Sequence, residues 1–347
     1  MVKIMEYIRK FEKENIRTVY LVITRRCNLK CSFCIRGEVD KENDTLSLEN
    51  IFRYLNEIHN LNSNITLIIT GGEATLHPNF KEILQRALEL FPKIILCSNG
   101  TLFEAFRDNI DIIKKCRVQI SIDGNNTYHD LIRGKGSYQK SIKVMKYLIS
   151  ENVDVVSSVT VSKDNIVSLE EMFADLQSIG VKNIKISQEM PGGFAELRTD
   201  KQLGYKEWNN LCNKLHNMTL NKDINLMLKK SFPFIGKRLN MNGVVDNALN
   251  KAGCKAGITL LYIYPDRKVY GCPLLMEYPL LELDKFVLND LETSYYSNIL
   301  YDYCVSLEST CSQCAYKEIC RSGCPGRRKY TNKLWDGDST CPLIQEG

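Results

Sequence analysis

Three cysteines fall within eight residues near the start of the chain. The stretch CNLKCSFC, residues 27–34, contains Cys27, Cys31 and Cys34. Three thiolates can hold three corners of a [4Fe–4S] cube. The fourth iron then keeps an open position, which in catalytic metal sites is where a substrate or cofactor binds. The alternative is a zinc site with a remote fourth ligand, but the chain has only four histidines and none lies near the cysteines in sequence.

A second group of cysteines lies near the C-terminus. The stretch CSQCAYKEICRSGC, residues 311–324, has the spacing Cys-x2-Cys-x5-Cys-x3-Cys, and further cysteines flank it. Taken alone, this spacing also fits a zinc ribbon. The fourteen cysteines cluster at the two ends of the chain, which favours metal sites over disulfides.

Composition and charge exclude several classes of protein. The 347 residues favour one large domain plus a smaller one. A net charge of +5, from 46 basic and 41 acidic residues, is too mild to indicate nucleic acid or a membrane surface. No signal peptide and no apolar run long enough to span a membrane is found. We therefore expect a protein of the reducing cytoplasm, where disulfides are rare.

Strand-like and helix-like runs alternate over the first two hundred residues. Strands are predicted at 18–24, 65–70, 93–100, 118–124, 153–162 and 183–189. Helices are predicted at 47–61, 79–91, 104–115, 137–151 and 168–179. Six βα units indicate an α/β fold with a parallel sheet, a partial (β/α)6 TIM-like barrel. In such barrels chemistry lies at the C-terminal ends of the strands, which is where the cysteine triad follows the first strand.

Four segments follow from these patterns. We predict a short N-terminal helix over residues 1–17, the barrel over 18–195 and a helical connector over 196–252. A small metal-binding domain is predicted over 253–347, where cysteines become dense.

The spacing Cys-x3-Cys-x2-Cys directly after a first strand resembles the radical S-adenosylmethionine (radical SAM) enzymes. Phe33 fits the aromatic residue usually found before the last cysteine of that motif. In the family, the amino and carboxylate groups of SAM chelate the open iron. An electron from the cluster then cleaves SAM and gives a 5′-deoxyadenosyl radical that abstracts hydrogen. The resemblance thus implies an oxidoreductase whose cofactor does the difficult step.

The turn TGGEA, residues 70–74, matches the glycine-rich turn that the family places against the SAM amino group. Gly71 and Gly72 are expected to allow close backbone approach, and Glu73 to accept from the ammonium. We expect this turn to be exposed enough to tolerate Glu73→Gln.

Four further positions carry over from the family as SAM contacts. Ser121 and Asp123, in SIDG at the end of the fourth strand, match a region that contacts the ribose or the carboxylate. Arg133 could pair with the SAM carboxylate, and the alternative is a solvated arginine in a loop. Asn99 ends the third strand and is the fourth candidate.

The C-terminal cysteines resemble a SPASM domain, which carries two auxiliary [4Fe–4S] clusters. With the SAM-binding cluster, three clusters are then expected. The pattern of cluster ligands in that family implies two sets of cysteines here. One auxiliary cluster would be ligated by Cys311, Cys314, Cys320 and Cys341, and the other by Cys254, Cys272 and Cys324.

The chain departs from the SPASM pattern at two points. Arg267 stands where the family often has glycine. Some members also have an extra cysteine between the first two, whereas residues 255–271 contain none. The first auxiliary cluster is therefore expected either to keep an open iron or to be closed by Cys304.

The remaining cysteines have no family position. Cys97 and Cys116 lie on or beside strands, so we expect them to pack in the core. Cys212, on a helix of the connector, and Cys304 are either structural or hydrogen-atom donors to a substrate radical. The catalytic residues proper stay unidentified.

SPASM proteins of this kind mostly modify ribosomally made peptides by crosslinking, oxidation or epimerisation. A peptide substrate is therefore expected, with a reductase, flavodoxin or ferredoxin as electron donor. About seventeen residues precede the first strand, too few for a leader-binding domain, so either a separate small leader-binding protein presents the peptide or the substrate is recognised otherwise. Two alternatives stay open: a radical SAM enzyme acting on a small molecule, such as a cofactor precursor or amino sugar, and a non-catalytic iron–sulfur or zinc protein.

Overall fold

A computed structural model describes most of the 347 residues. The described residues are 15–38, 44–219, 223–228, 230–233, 235, 254–292, 311–320, 322–330 and 337–345. Cys304 and most of the predicted N-terminal helix lie outside them. No helix in the described ranges is long and apolar enough to cross a membrane.

One ten-stranded sheet organises the described residues. Its order is β10-β9-β8-β1-β2-β3-β4-β5-β6-β7. Strands β1 to β8 pair in parallel, and β9 and β10 add antiparallel pairs at one edge. The strands are β1 Thr18–Thr24, β2 Thr66–Gly71, β3 Lys93–Ser98, β4 Arg117–Ser121, β5 Asp154–Val161, β6 Asn183–Gln188, β7 Asn225–Met227, β8 Leu260–Ile263, β9 Lys268–Tyr270 and β10 Leu281–Glu282.

Helices connect the parallel strands, as the βα pattern predicts. They are α1 Leu48–Leu61, α2 Phe80–Leu90, α3 Phe103–Arg107, α4 Ile110–Ile113, α5 Asn126–Arg133, α6 Ser137–Ser150, α7 Leu169–Ser178, α8 Tyr205–Thr219, α9 Lys317–Cys320, α10 Pro325–Tyr330 and α11 Pro342–Gln345. Short 3-10 segments lie at Ala74–Leu76, Ile166–Ser168, Gly193–Lys201 and Leu288–Glu292. The predicted α/β fold with six βα units is confirmed.

Helix α1 shows how the sequence specifies these elements. The side chain of Ser47 accepts from the backbone N–H of Asn50 at 3.2 Å and so caps the first turn. Apolar residues recur at helical spacing and bury one face against the sheet. They are Ile51, Tyr54, Leu55, Ile58 and Leu61.

Two helical predictions differ from the structure. The helix predicted at 104–115 is broken into α3 and α4 at Asp108 and Asn109. Helix α5 was not predicted, because it is short and bounded by turn residues. The side chain of Asn125 accepts from Tyr128 N–H at 3.2 Å to start it, and Gly134 ends it at a φ of 114°. Arg133 therefore lies on the last turn of a helix and not in a solvated loop.

The sheet crosses the predicted domain boundary at residue 252. Strand β8 pairs with β1 in parallel, with Thr18 opposite Leu260 and Leu21 opposite Ile263. Strand β7, which was assigned to the helical connector, extends the other edge beyond β6. The predicted boundaries stay predictions, but the described residues on either side of 252 share hydrogen-bonded strands.

The two faces of the sheet differ in chemistry. Alternate residues such as Val19, Leu21 and Ile23 face the helices and form one large apolar core. The other set, here called the inner face, includes polar side chains from separate strands. The Nζ of Lys185 on β6 lies 3.5 Å from Oε1 of Gln119 on β4, across the intervening β5. Such contacts fit a sheet curved into a partial barrel.

Candidate active site

The loop that carries the cysteine triad is seated directly on the glycine-rich turn after β2. The Gly72 N–H donates to the carbonyl of Thr24 at 2.7 Å, and the Glu73 N–H to that of Arg26 at 2.8 Å. A Cβ on Gly72 would lie 2.0 Å from the carbonyl oxygen of Arg26, and one on Gly71 would lie 2.7 Å from that of Thr24. The close approach that these glycines allow is thus between two segments of the chain.

The triad cysteines lie together at the C-terminal end of β1, where sequence analysis placed them. Cys31 is buried, Cys34 half-buried and Cys27 exposed. Burial raises the pKa of Cys31 to about 11, although Arg133 opposes this. Burial also raises the pKa of Cys27, and the charge of Cys34 adds to the increase. Mutual repulsion between the thiolates indicates that a positively charged metal group would stabilise all of them together.

Hydrogen-bond donors surround the sulfur atoms of the triad. The Nδ2 of Asn99 lies 3.9 Å from the Sγ of Cys27, and the backbone N–H of Leu29 lies 3.4 Å from the same atom. The Nη1 of Arg133 lies 3.8 Å from the Sγ of Cys31. Donors to thiolate sulfur are a principal means by which proteins tune an iron–sulfur cluster.

Glu73 lies at the centre of a buried hydrogen-bond network. It is only 1% exposed, so the expectation of an exposed, tolerant turn is wrong. Its Oε1 accepts from Ser98 Oγ at 2.8 Å and from the hydroxyl and backbone N–H of Thr75 at 2.8 and 3.3 Å. Among the described residues, its Oε2 accepts only from Asn99 N–H, at 2.7 Å. That oxygen therefore keeps an acceptor position for an ammonium group.

Asp123 and Arg133 form a buried ion pair beside the triad. The Nε of Arg133 donates to Oδ2 of Asp123 at 2.5 Å, and the backbone N–H of Thr160 donates to Oδ1 at 2.6 Å. Asp123 is fully buried, whereas Ser121 at the end of β4 is partly exposed. The guanidinium of Arg133 also lies 5.2 Å from the ring centre of Phe33. Arg133 contacts the sulfur of Cys31, and both carboxylate oxygens of Asp123 accept from protein donors.

His129 is a buried residue of this site that sequence analysis missed. Its Nδ1 accepts from the backbone N–H of Asp123 at 3.2 Å, and its ring packs edge-on against Tyr138. Burial lowers the pKa of His129 to about 4, and Arg133 adds to this effect. The neutral ring thus holds the backbone at the end of β4. No sequence signal identified it, because a lone histidine on a short helix has no motif.

The C-terminal cysteines fall into two neighbourhoods. The charges of Cys324 and Cys254 raise the pKa of Cys272 beyond the effect of burial. Burial raises the pKa of Cys320 to about 12, and three other thiols add to it. Those thiols are Cys341, Cys311 and Cys314. The thirteen described cysteines are all free thiols, so none of them is joined by a disulfide.

Asp338 links the C-terminal cysteines to the barrel. Its Oδ2 accepts from the backbone N–H of Cys324 at 3.0 Å and from Nη1 of Arg327 at 3.3 Å. Arg327 in turn donates to Oε1 of Gln188, at the end of β6, at 3.2 Å. The backbone N–H of Cys341 donates to the carbonyl of Asp338 at 2.8 Å. One buried carboxylate residue therefore positions members of both cysteine neighbourhoods.

The remaining cysteines lie in different environments. Cys116 is buried in the apolar core, as expected. Cys212 on α8 packs in the same core, so the structure does not bring this candidate hydrogen donor to the inner face. Cys97 lies on the inner face, because Leu96 beside it on β3 faces the core. The expectation that Cys97 packs in the core is therefore wrong.

The free thiols occur in small groups, and hydrogen-bond donors are directed at the sulfur atoms of the triad. Cysteine thiolates are the usual ligands of iron–sulfur clusters, and donors to their sulfur atoms tune such clusters, so these residues fit that group.

Comparison with known families identifies the first part of the chain. Residues 21–176 match the Radical SAM superfamily. This stretch is a radical SAM domain. It begins within β1 and ends within α7, and it contains the cysteine triad, the glycine-rich turn and the Asp123–Arg133 pair.

Several proteins with assigned roles are similar to this chain. It is 32% identical over 46% of its length to the antilisterial bacteriocin subtilosin biosynthesis protein AlbA of Bacillus subtilis. It is 31% identical over 50% of its length to the sporulation killing factor maturation protein SkfB of the same organism. The chain spans 36% and 43% of the lengths of these two relatives. It is 25% identical to the mycofactocin maturase MftC of Mycobacterium tuberculosis, over 92% of this chain and 81% of MftC.

Solved structures show the same fold. SuiB of Streptococcus suis, crystallised with S-adenosylmethionine, superposes with a TM-score of 0.78 at 16% identity, covering 98% of this chain and 81% of SuiB. The same protein has been crystallised with its precursor peptide SuiA. The protein anSMEcpe with bound AdoMet has a TM-score of 0.69 at 17% identity, covering 95% of this chain and 92% of anSMEcpe. At these identities the likeness shows the fold alone.

Proposed function

We propose that this protein is a radical SAM/SPASM enzyme that modifies a ribosomally made peptide by hydrogen abstraction. The observation that carries the proposal is the triad of free thiols after β1, seated on the buried Glu73 turn within a radical SAM domain. Support for a peptide substrate comes from relatives named as maturation or bacteriocin biosynthesis proteins, two of which align over only half of this chain.

In this proposal Cys27, Cys31 and Cys34 hold a [4Fe–4S] cluster, and SAM binds to it. When bound, this pair supplies the radical that abstracts hydrogen from the substrate. Glu73 Oε2 has the acceptor position for the SAM ammonium, since within the described residues it accepts from Asn99 N–H alone. Asn99 and Arg133 direct donors at the sulfur atoms of Cys27 and Cys31. The Asp123–Arg133 pair keeps that arginine oriented by neutralising it in a buried position.

The ligands of the auxiliary clusters are also part of the proposal. The two cysteine neighbourhoods support one cluster held by Cys311, Cys314, Cys320 and Cys341, and another held by Cys254, Cys272 and Cys324. A fourth ligand for the second set stays open between the substrate and Cys304. Mössbauer spectra of Cys304→Ala decide this point: selective loss of that cluster assigns Cys304, and an intact cluster assigns an open iron.

One observation favours a second candidate substrate class. The chain is 25% identical to the AdoMet-dependent heme synthase of Oleidesulfovibrio alaskensis, over 90% of this chain and 83% of that protein. A small-molecule substrate is therefore the alternative. The candidates differ in what must be supplied for turnover, a peptide or a tetrapyrrole precursor.

The decisive experiment uses anaerobically reconstituted protein with SAM and a chemical reductant. Each reaction receives either a short precursor peptide, chosen from reading frames near the gene, or an iron porphyrin. We expect 5′-deoxyadenosine to form and the peptide to change in mass. A change in the porphyrin alone would support the alternative. Binding of SAM without any cleavage would contradict both and favour a non-catalytic iron–sulfur protein.

The partners follow from the same chemistry. We infer a flavodoxin, ferredoxin or reductase as the electron donor, because the cluster must be reduced in each cycle. A cytoplasmic location fits the thirteen free thiols, since disulfides are rare in that compartment.

A further inference from the structure

The inner face of the barrel carries a lysine without an acidic partner in the described residues. Lys185 lies on β6 between Ile184 and Ile186, which both pack in the outer core, so its side chain faces inward. Its Nζ lies 3.5 Å from Oε1 of Gln119. No described Asp or Glu oxygen lies within 4.0 Å of Nζ. Lysine seldom occupies the inside of a barrel unless something pairs with it.

A second cation reaches the same space from the loop after the triad. The Nη2 of Arg36 donates to the carbonyl oxygen of Gly72 at 3.2 Å. Its Nη1 is buried and has no hydrogen-bond partner among the described residues. Within those residues, no carboxylate oxygen lies within 4.0 Å of the guanidinium either. An arginine fork with one free arm is arranged to bind a planar anion.

Cys97 on β3 lies between the positions of the two cations: it pairs in register with Gln119 on β4, which Lys185 contacts, and Arg36 bonds the carbonyl of Gly72, directly after β2. Burial raises the pKa of that thiol to about 11, and both Lys185 and Arg36 act in the opposite direction. Glu73 is the nearby carboxylate, but its four hydrogen bonds to Ser98, Thr75 and Asn99 fix it away from either cation. Around Cys97 the inner face therefore has two positive charges and one negative charge.

Aromatic rings line the side of this space formed by β1 and β8. Tyr20 and Tyr262 stack with ring centres 4.4 Å apart. Tyr264 directly follows β8, with its ring centre 6.4 Å from that of Tyr262, and the charge of Arg36 opposes the rise in its pKa caused by burial. The space thus combines an apolar wall with cationic ends, as binding sites for amphipathic ligands do.

We propose that Arg36, Lys185 and Gln119 form a binding site for a carboxylate group of the substrate. The proposal rests on the proposed function for the statement that the substrate is a peptide. Arg36 offers its free Nη1 arm, Lys185 a point charge and Gln119 an amide donor that orients the group. The carboxylate would come from an acidic side chain or from the C-terminus of the peptide.

The site is distinct from charge compensation of the triad. Arg36 influences the pKa of the Cys27 thiol, whereas the contact of Lys185 is with Gln119 on β4, away from the triad loop. Lys185 is therefore the residue whose substitution separates substrate binding from support of the cluster.

The test measures binding of small probes to the reconstituted protein with SAM bound, by calorimetry at constant ionic strength. N-acetylglycine and N-acetylglycinamide represent a C-terminus with and without its charge. N-acetylaspartic acid α-amide and N-acetylasparagine amide do the same for a side chain. We expect the carboxylate of one pair to bind about tenfold more tightly than its amide, because a charge-assisted hydrogen bond is worth that much. If the N-acetylglycine pair shows the preference, the bound carboxylate is a peptide C-terminus. If the N-acetylaspartic acid α-amide pair shows it, the carboxylate is an acidic side chain.

Variants then assign the preference to residues. Lys185→Met should abolish it, and Lys185→Arg should retain it. The control is Lys182→Met, since Lys182 is 69% exposed and pairs with Asp223 at 3.0 Å outside the barrel. Equal binding of acid and amide in both pairs, or an unchanged preference in Lys185→Met, would overturn the proposal. A parallel loss of SAM affinity in Lys185→Met would assign the cations to the SAM carboxylate and would also overturn it.

The readout separates this inference from the proposed function. Probe binding requires no turnover, whereas the proposed function fails if the wild-type protein does not cleave SAM. If the protein prefers carboxylates but does not cleave SAM, the binding site is supported and the proposed enzyme function is wrong. If it cleaves SAM but shows no carboxylate preference, the enzyme function is supported and the binding site is wrong.

Discussion

Asn99 and Glu73 join two strand ends beneath the cysteine triad. The backbone N–H of Asn99 donates to Oε2 of Glu73 at 2.7 Å, while its side chain lies 3.9 Å from the sulfur of Cys27. The end of β3, the turn after β2 and the triad loop are therefore one hydrogen-bonded unit. A change at the Glu73 carboxylate can reach the metal loop through Asn99, while the Glu73 N–H is bonded directly to the Arg26 carbonyl in that loop.

Replacing Glu73 by glutamine should therefore affect both folding and SAM binding. The amide nitrogen would face N–H and O–H donors, and a buried donor without an acceptor costs about 1–3 kcal/mol. SAM affinity should fall by a similar amount, since its ammonium loses a charged acceptor. Urea unfolding and SAM calorimetry measure the two effects. Glu89→Gln, at an exposed ion pair with Arg86, is the control and should change neither. Full stability with full SAM affinity would remove Glu73 from the site.

Gly72→Ala should displace the triad loop. The new Cβ would lie 2.0 Å from the Arg26 carbonyl oxygen, a distance that backbone atoms cannot accept, so the two segments must separate. We expect the triad to lose its cluster while the C-terminal sites load normally. Gly204→Ala is the matched control, because its Cβ would meet only Glu207 Oε2, at 3.5 Å. Normal iron content in Gly72→Ala would show that the loop can move without losing its geometry.

Under the proposed arrangement of three clusters, Cys34→Ala should remove one. Iron and sulfide should then fall by about one third, since each proposed cluster has cysteine ligands of its own. SAM cleavage should vanish. Cys116→Ala, a change in the apolar core, should keep the full iron content. If Cys34→Ala still produced 5′-deoxyadenosine, the radical SAM assignment of the triad would be wrong.

His129 makes stability depend on pH. Its folded pKa is lowered from 6.5 to about 4, so between these values the unfolded chain binds the extra proton. Stability is therefore present above pH 6.5 and is lost as the pH falls toward 4. The full effect of this shift is about 3 kcal/mol. Urea unfolding at pH 7 and pH 5 should show a smaller loss for His129→Gln than for the wild type. The exposed His216→Gln should behave as the wild type does, and an equal loss in all three proteins would exclude His129 as the cause.

Asp338→Ala should destabilise the C-terminal sites. It leaves the buried Arg327 without its carboxylate, and breaking a buried ion pair costs about 3–5 kcal/mol. The backbone N–H of Cys324 also loses its acceptor. Iron analysis and electron paramagnetic resonance should show loss of auxiliary signals with the triad cluster retained. Asp284→Ala, at an exposed pair with Arg267, is the control. Unchanged auxiliary spectra would mean that Asp338 does not position those cysteines.

The elements that carry the triad were predictable, because their signals are local. Hydrophobic spacing and β-branched runs placed the six strands β1 to β6 within a few residues of their positions. The spacing of Cys27, Cys31 and Cys34 and the order of Gly71, Gly72 and Glu73 are also local patterns. The sequence does not predict helix α5, because its start and end depend on single capping residues rather than on a long apolar face.

The face on which a strand residue lies was decided by the tertiary structure. Parallel strands are buried on both sides, so alternation separates Leu96 from Cys97 but does not say which of them points inward. Cys97 was expected in the core and lies instead on the inner face, beside Lys185 and Arg36. The pairing of β8 with β1 is likewise a contact between segments over two hundred residues apart.

The sequence by itself determined the chemistry of the donors, and the tertiary structure decided their neighbours. Residue types and short spacings establish which thiols and carboxylates the protein has. They do not establish that Arg133 pairs with Asp123, or that Asp338 positions Cys324. Such pairs form between segments brought together by burial of the core, and burial acts on the whole chain rather than on any local pattern.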